Sequence, residues 1–153
     1  MITLKERIQQ KKFDRPGQEA LVGLLYTTNL LRNELQAICK AHDITLAQFN
    51  ILRILKGVHP KGHPRYAIQE RLVERAPDIT RMLDRMMILG WVDRRPGSTD
   101  RRLSFAYITK SGIRLLEEVN KEIDAYIEQF EETLGKEDID ALIRVTNAII
   151  EKF

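Results

Sequence analysis

The chain has 153 residues, 43% hydrophobic and 31% charged, with only 8 Gly and 5 Pro, which fits one globular domain and fits disordered, collagen-like or low-complexity classes badly. Its formal charge is a modest +3, and its single cysteine, Cys39, excludes an intramolecular disulfide and a four-thiolate zinc site. No stretch is long and apolar enough for a membrane span or a secretory signal, so a cytoplasmic protein with no membrane partner is expected.

After a basic start containing Ile2, Leu4, Ile8 and Phe13, Pro16-Gly17 introduces a long helical pattern. Its apolar positions Leu21, Leu24, Leu25, Leu31, Leu35 and Ile38 recur at three and four, predicting a helix to about Ala41. Thr45 with Gln48 forms a capping box, and Ile44 can staple onto Phe49, so a second helix is expected through Leu55 with Gly57 as its stop. Residues 58–66 hold two prolines and a glycine and read as a connector. Ile68, Leu72 and Val73 suit a short third helix from Ala67 to about Glu74. Pro77 suits the first position of a fourth helix, with Asp78 favourable at its positive end. That helix would bury Ile79, Leu83, Met86 and Met87 and expose Thr80, Arg81, Asp84 and Arg85, ending at Gly90.

From Trp91 the period shortens. Trp91 to Arg95 reads as a strand, 96–100 as a turn and Leu103 to Ile108 as the partner strand, with Leu103, Phe105 and Tyr107 on one side. Thr109 can cap a long helix carrying Ile113, Leu116, Val119, Ile123, Tyr126, Ile127 and Phe130 and ending near Gly135. A last helix follows with Ile139, Leu142, Ile143, Ile149, Ile150 and Phe153, too many apolar groups for one terminal helix to leave in water.

Charge is distributed unevenly. Residues 1–16 carry +3 and 94–102 carry +3, whereas 110–153 carry −5. All nine basic residues between 65 and 102 are arginine, whose planar donor fork suits phosphates and guanine edges. A short helix, a turn, a second helix with a polar outer face and then a hairpin with a cationic tip make a winged helix-turn-helix. A helix fits the major groove, and an arginine-tipped hairpin can reach phosphates or the minor groove beside it.

At these residues the sequence resembles the MarR-type transcriptional regulators, from about residue 17 to the C-terminus. The segment Asp100-Arg101-Arg102-Leu103-Ser104-Phe105-Ala106-Tyr107-Ile108-Thr109 is similar to the family's wing signature, and Thr80-Arg81-Met82-Leu83-Asp84-Arg85-Met86 with Gly90-Trp91-Val92 is similar to its recognition helix and exit. The resemblance implies that Thr80, Arg81 and Arg85 face the major groove and that Arg94 and Arg95 approach the backbone. It assigns Ser98, Thr99, Arg101 and Arg102 to the DNA-contacting wing, with Asp100 orienting an arginine rather than touching phosphate. The sequence departs from the family at Val73-Glu74-Arg75-Ala76-Pro77, which lacks the usual glycine and hydroxyl cap, and at the lengthened 59–64 approach.

The expected fold is mainly α, a winged helix-turn-helix with a two-stranded β-hairpin wing and a helical dimerisation region formed by the N- and C-terminal helices. Within a single domain 1–153, residues 17–44 and 110–153 would mainly dimerise and 45–109 would bind DNA. The implied function is a homodimeric, sequence-specific regulator of double-stranded DNA with a pseudo-palindromic operator, a repressor responsive to a small-molecule effector. A winged-helix module that binds another protein is the alternative, which a weak salt dependence would favour.

Other residues admit sharper and blander readings. Cys39 and His42 could form an activated thiol, but a buried small residue is the simpler account. His59 and His63 fall short of a zinc ligand set, so no metal is expected. Tyr26, Tyr66, Trp91 and Tyr126 could line a pocket for a phenolic effector, but buried aromatics are more often core. Met82, Met86 and Met87 read as packing. No phosphate-cradling loop, nucleophile elbow or histidine–carboxylate motif is found, so no catalytic residue, no cofactor and no enzymatic activity are expected.

Overall fold

In the computed structural model, residues 2–73, 78–96 and 104–152 are described. The basic start is ordered by a capping box: Thr3 and Glu6 exchange hydrogen bonds at the first turn of helix α1 (Leu4–Arg7). The turn lies against helix α2 (Pro16–Ala41), with Lys5 paired to Glu19 at 3.2 Å. Pro16 occupies the first turn of α2, where a missing N–H costs nothing.

Helix α3 (Leu46–Lys56) starts as its sequence predicts. The Thr45 hydroxyl accepts the Gln48 N–H while Gln48 reaches back to the Thr45 N–H at 3.0 Å, and Ile44 and Phe49 are both buried. Phe49, Ile51, Leu52 and Leu55 leave α3 enclosed on more than one side, since α2, helix α4 (Arg65–Arg71) and helix α6 (Lys110–Leu134) all pack on it. Each such side chain contributes roughly 1.5–3 kcal/mol through burial.

The connector is not wholly irregular. His63–Pro64 forms a short strand β1 that pairs antiparallel with β3 (Ser104–Ile108), which also pairs with β2 (Val92–Pro96), giving the order β1-β3-β2. The sheet is therefore three-stranded where the sequence suggested two. Proline is tolerated in β1 because the strand lies at an edge. Its two residues carry no alternation from which a strand could have been read. Helix α4 begins at Arg65, two residues before the expected start, directly from the β1 proline.

Helix α5 (Ile79–Ile88) takes Asp78 as its N-cap, whose side chain accepts the Arg81 N–H at 3.1 Å; Pro77, the expected first helical position, lies outside the described residues. The aspartate side chain satisfies one of the orphan N–H groups of the first turn. The buried stripe is Ile79, Leu83 and Met86, with Met82 packed against the core; Met87 faces outward, contrary to expectation. In β3 the buried side chains are Ala106 and Ile108, so the inner face is the one opposite Phe105 and Tyr107.

Gly90, at φ +74°, ends the α5 region in a conformation that suits glycine. Thr109 then ties three elements together. Its N–H donates to the Trp91 carbonyl at 3.1 Å, its hydroxyl donates to the Gly90 carbonyl at 2.7 Å, and the same hydroxyl caps α6 by accepting the Gly112 N–H at 3.0 Å. A Cβ at Gly112 would collide with the Trp91 carbonyl, so the α6 start can approach β2 this closely only with glycine there.

Helix α7 (Lys136–Lys152) has no buried residue, and its Ile150 is 74% exposed; on α2, Leu25 is 61% exposed. Among the described residues, no helix is long and apolar enough to cross a membrane.

Candidate nucleic-acid interface

The amphipathic split of α5 defines the candidate surface. Ile79, Leu83 and Met86 hold one side on the core, and Arg81, Asp84 and Arg85 stand on the exposed side at three- and four-residue spacing. Thr80 is half-buried, and its hydroxyl accepts the Arg65 Nη1–H at 3.4 Å, which links the α5 start to the α4 start. A ten-residue helix with this exposed stripe matches the width and chemistry of a major groove.

Aspartates hold three of the four described arginines of α5 and β2, pairings that the sequence analysis does not anticipate. Arg81 Nε bonds Asp78 Oδ2 at 2.9 Å, Arg94 Nη1 bonds Asp84 Oδ1 at 2.6 Å, and Arg95 Nε bonds Asp93 Oδ2 at 2.9 Å. Arg95 also lies over the Tyr107 ring, 4.9 Å from its centroid. Arg85 forms no ion pair with another described residue. Arg81 is 88% exposed at its side chain, whereas Arg94 is only 27% exposed and is aimed at α5. Arg81 and Arg85 are therefore poised for an outside acceptor, while Arg94 braces β2 against the helix. The i to i+3 spacing of Asp78 and Arg81 and the i to i+2 spacing of Asp93 and Arg95 were the available signals. Ser98, Thr99, Asp100, Arg101 and Arg102 lie outside the described residues.

A cavity of about 420 Å³ lies between α2, α3 and α6. Phe49, Ile123, Tyr126 and Phe130 supply apolar and aromatic walls, and Arg32 and Arg53 supply positive charge. Burial, reinforced by the negative charge of Glu34, raises the Tyr126 phenol above its ordinary pKa and keeps it a hydrogen-bond donor at neutral pH. Of the four aromatics considered from the sequence, only Tyr126 lines this space. Tyr66 is 54% exposed on α4 and is neither core nor part of this cavity, and Trp91 packs against the core. The walls come from helices distant in sequence, so periodicity alone could not assemble them.

Cys39 is fully buried, and burial raises its thiol pKa, which disfavours the reactive thiolate. His42 instead meets Glu122 of α6 at 2.7 Å. His63 sits in β1 with its Nε2 buried and without a hydrogen-bond partner among the described residues. Burial, and then the positive charge of Arg71, lower its pKa.

Comparison with known proteins gives a consistent outcome. The MarR family profile matches residues 44–104, from the staple residue Ile44 to the first residue of β3. The HTH-type transcriptional regulator FarR of Neisseria gonorrhoeae is 29% identical over 116 residues, covering 76% of this chain and 78% of FarR. The crystal structure of a MarR transcription factor from Planctomyces limnophilus is 30% identical, with a TM-score of 0.68 over 90% of this chain and 99% of that one. NadR, solved in complex with 4-hydroxyphenylacetate, is 27% identical, with a TM-score of 0.67 over 84% of this chain and 89% of its own.

Proposed function

The chain belongs to the MarR family of transcriptional regulators, and from that premise we propose that it is a homodimeric, cytoplasmic repressor that binds a pseudo-palindromic duplex operator. The observation that carries this reading is the two-sided α5, anchored by Ile79, Leu83 and Met86 and presenting Arg81 and Arg85 outward beside β2. Residues 45–109 form the reading head, and residues 17–44 and 110–153 join two protomers. A two-fold dimer places its heads on half-sites about 10 base pairs apart. Thr80, Arg81 and Arg85 address base edges. Arg101 and Arg102, with Ser98 and Thr99, grip the flanking backbone, and Asp100 steadies one of those arginines.

The cavity between α2, α3 and α6 supports release by an effector. Its aromatic walls and its arginines suit a small molecule with an apolar body and an acidic head. A ligand of that description, 4-hydroxyphenylacetate, is bound by NadR. Such a molecule releases DNA only by binding the DNA-incompetent arrangement of the heads more tightly.

Selection from random duplex DNA tests the reading. The expected result is an inverted repeat bound by a dimer, with log affinity falling by ~0.9 per phosphate contact for each log unit of salt. A single subunit that selects no motif at low salt refutes it.

A further inference from the structure

One carboxylate at the start of α5 does two jobs. Asp78 Oδ1 accepts the backbone N–H of Arg81 at 3.1 Å and so caps the helix, and Asp78 Oδ2 accepts the side-chain Nε–H of the same arginine at 2.9 Å. The cap fixes the carboxylate, and the carboxylate fixes the base of the guanidinium. With Nε–H engaged, the terminal Nη groups remain, and the 88% exposure of the side chain leaves them open to a ligand. Two Nη donors in a planar fork match the O6 and N7 acceptors of guanine in the major groove, an arrangement that no other base presents there. Arg85, one turn on, has no such restraint among the described residues, because Asp84 is occupied by Arg94.

We propose that Asp78 is a positioning residue that presents Arg81 to a guanine, making a G·C pair at the Arg81 position the most sharply discriminated of each half-site. The inference rests on the DNA-reading function proposed above. It also assigns unequal roles to the two exposed arginines: Arg81 is a pre-oriented reader and Arg85 an adaptable one.

The test compares full-length wild type with Asp78→Asn, Asp78→Ser and Arg81→Lys on the duplex selected by wild type and on its G-to-A counterpart. Asparagine and serine cap a helix about as well as aspartate, but after capping neither keeps a second carboxylate oxygen for Nε–H. Wild type is expected to prefer G by ~10-fold or more at the position whose preference Arg81→Lys abolishes, and both Asp78 variants should cut that preference to less than ~3-fold. Their melting temperatures and salt slopes should match wild type, and affinity for the A-containing duplex should hold or rise because a negative charge near phosphate is gone. A simple capping role would instead lower melting temperature and weaken both duplexes alike. Retained discrimination in Asp78→Asn and Asp78→Ser, equal loss on both duplexes, or a preferred base other than G at the Arg81 position overturns the inference while leaving DNA binding intact. Wild type that selects no motif removes the proposed function and this inference with it.

Discussion

Helices α3 and α7 are both rich in aliphatic side chains, yet their fates within one subunit are opposite. Helix α3 buries Phe49, Ile51, Leu52 and Leu55 among α2, α4 and α6, while α7 buries nothing and leaves Ile143 and Ile150 exposed beside α6. The reading head satisfies its apolar demand internally. The terminal helices do not, and α2 shows both conditions along its length: Leu35 and Ile38 pack on the core, whereas Leu21 and Leu25 face outward. Exposed apolar side chains on both terminal regions are what the proposed symmetric pair of subunits would cover.

The largest effect should come from breaking that interface without touching the core. The double variant Leu25→Glu with Ile150→Glu is expected to sediment as a monomer with unchanged helical content. In the proposed dimer two tethered heads bind with avidity, so the variant's affinity for the selected inverted repeat should fall by roughly 10²–10⁴-fold. A dimer that survives both charges would transfer the interface elsewhere. The complementary perturbation is Leu52→Ala in α3, fully buried in the structure. Denaturant unfolding should show a loss of ~2–5 kcal/mol, the range for deleting a packed leucine side chain. Loss of less than 1 kcal/mol would mean that the head is not the tightly closed unit described here.

The same contrast explains what the sequence made legible. Helix boundaries with side-chain caps, at Thr45 and Thr109, were readable because a hydroxyl at a fixed offset is itself the local cause. The apolar stripes of α5 and α6 follow largely from their period, but Met87, expected inward, faces outward because Met82 lies just as close to the buried arc. Strand β1 was hidden, since pairing of His63 with Ala106 depends on a strand forty residues away. At the site, the exposed arginines are legible and local spacing signals the Asp78–Arg81 and Asp93–Arg95 pairs, but the Asp84–Arg94 pair is not. Asp84 meets Arg94 only because the Gly90 turn folds β2 back along α5.

That pairing yields a third, smaller effect. Between residues 78 and 96 four arginines face three aspartates, so little net positive charge is left there to attract phosphate. If Arg94 is a brace, Arg94→Ala and Asp84→Ala should each weaken operator binding, the double variant should be no worse than either, and the salt slope should hold. With Arg94 only 27% exposed and Asp84 49% exposed, the coupling should be ~0.5–1 kcal/mol in a double-mutant cycle. A slope reduced by about one phosphate for Arg94→Ala alone, with tighter binding for Asp84→Ala, would make Arg94 a backbone contact instead.

The smallest effect concerns pH and separates the two regions again. His63 lies in β1, inside the self-contained head, and burial together with Arg71 holds its imidazole below the ordinary histidine pKa. The unfolded chain takes up a proton near pH 6.5 while the folded chain resists it, so the unfolded state binds more protons as pH falls. Stability from this source is intact above about pH 6.5 and declines as pH drops through the unfolded value, levelling off only below the folded pKa. Wild type should therefore lose stability more steeply between pH 7.5 and 5.5 than His63→Gln, in denaturant titrations at constant ionic strength. The loss should appear as cooperative unfolding of the head with no change in dimer dissociation, because β1 pairs with β3 and not with α7. Parallel pH profiles for the two proteins would show that the buried Nε2 finds a proton acceptor on folding and that β1 adds no acid sensitivity to the head.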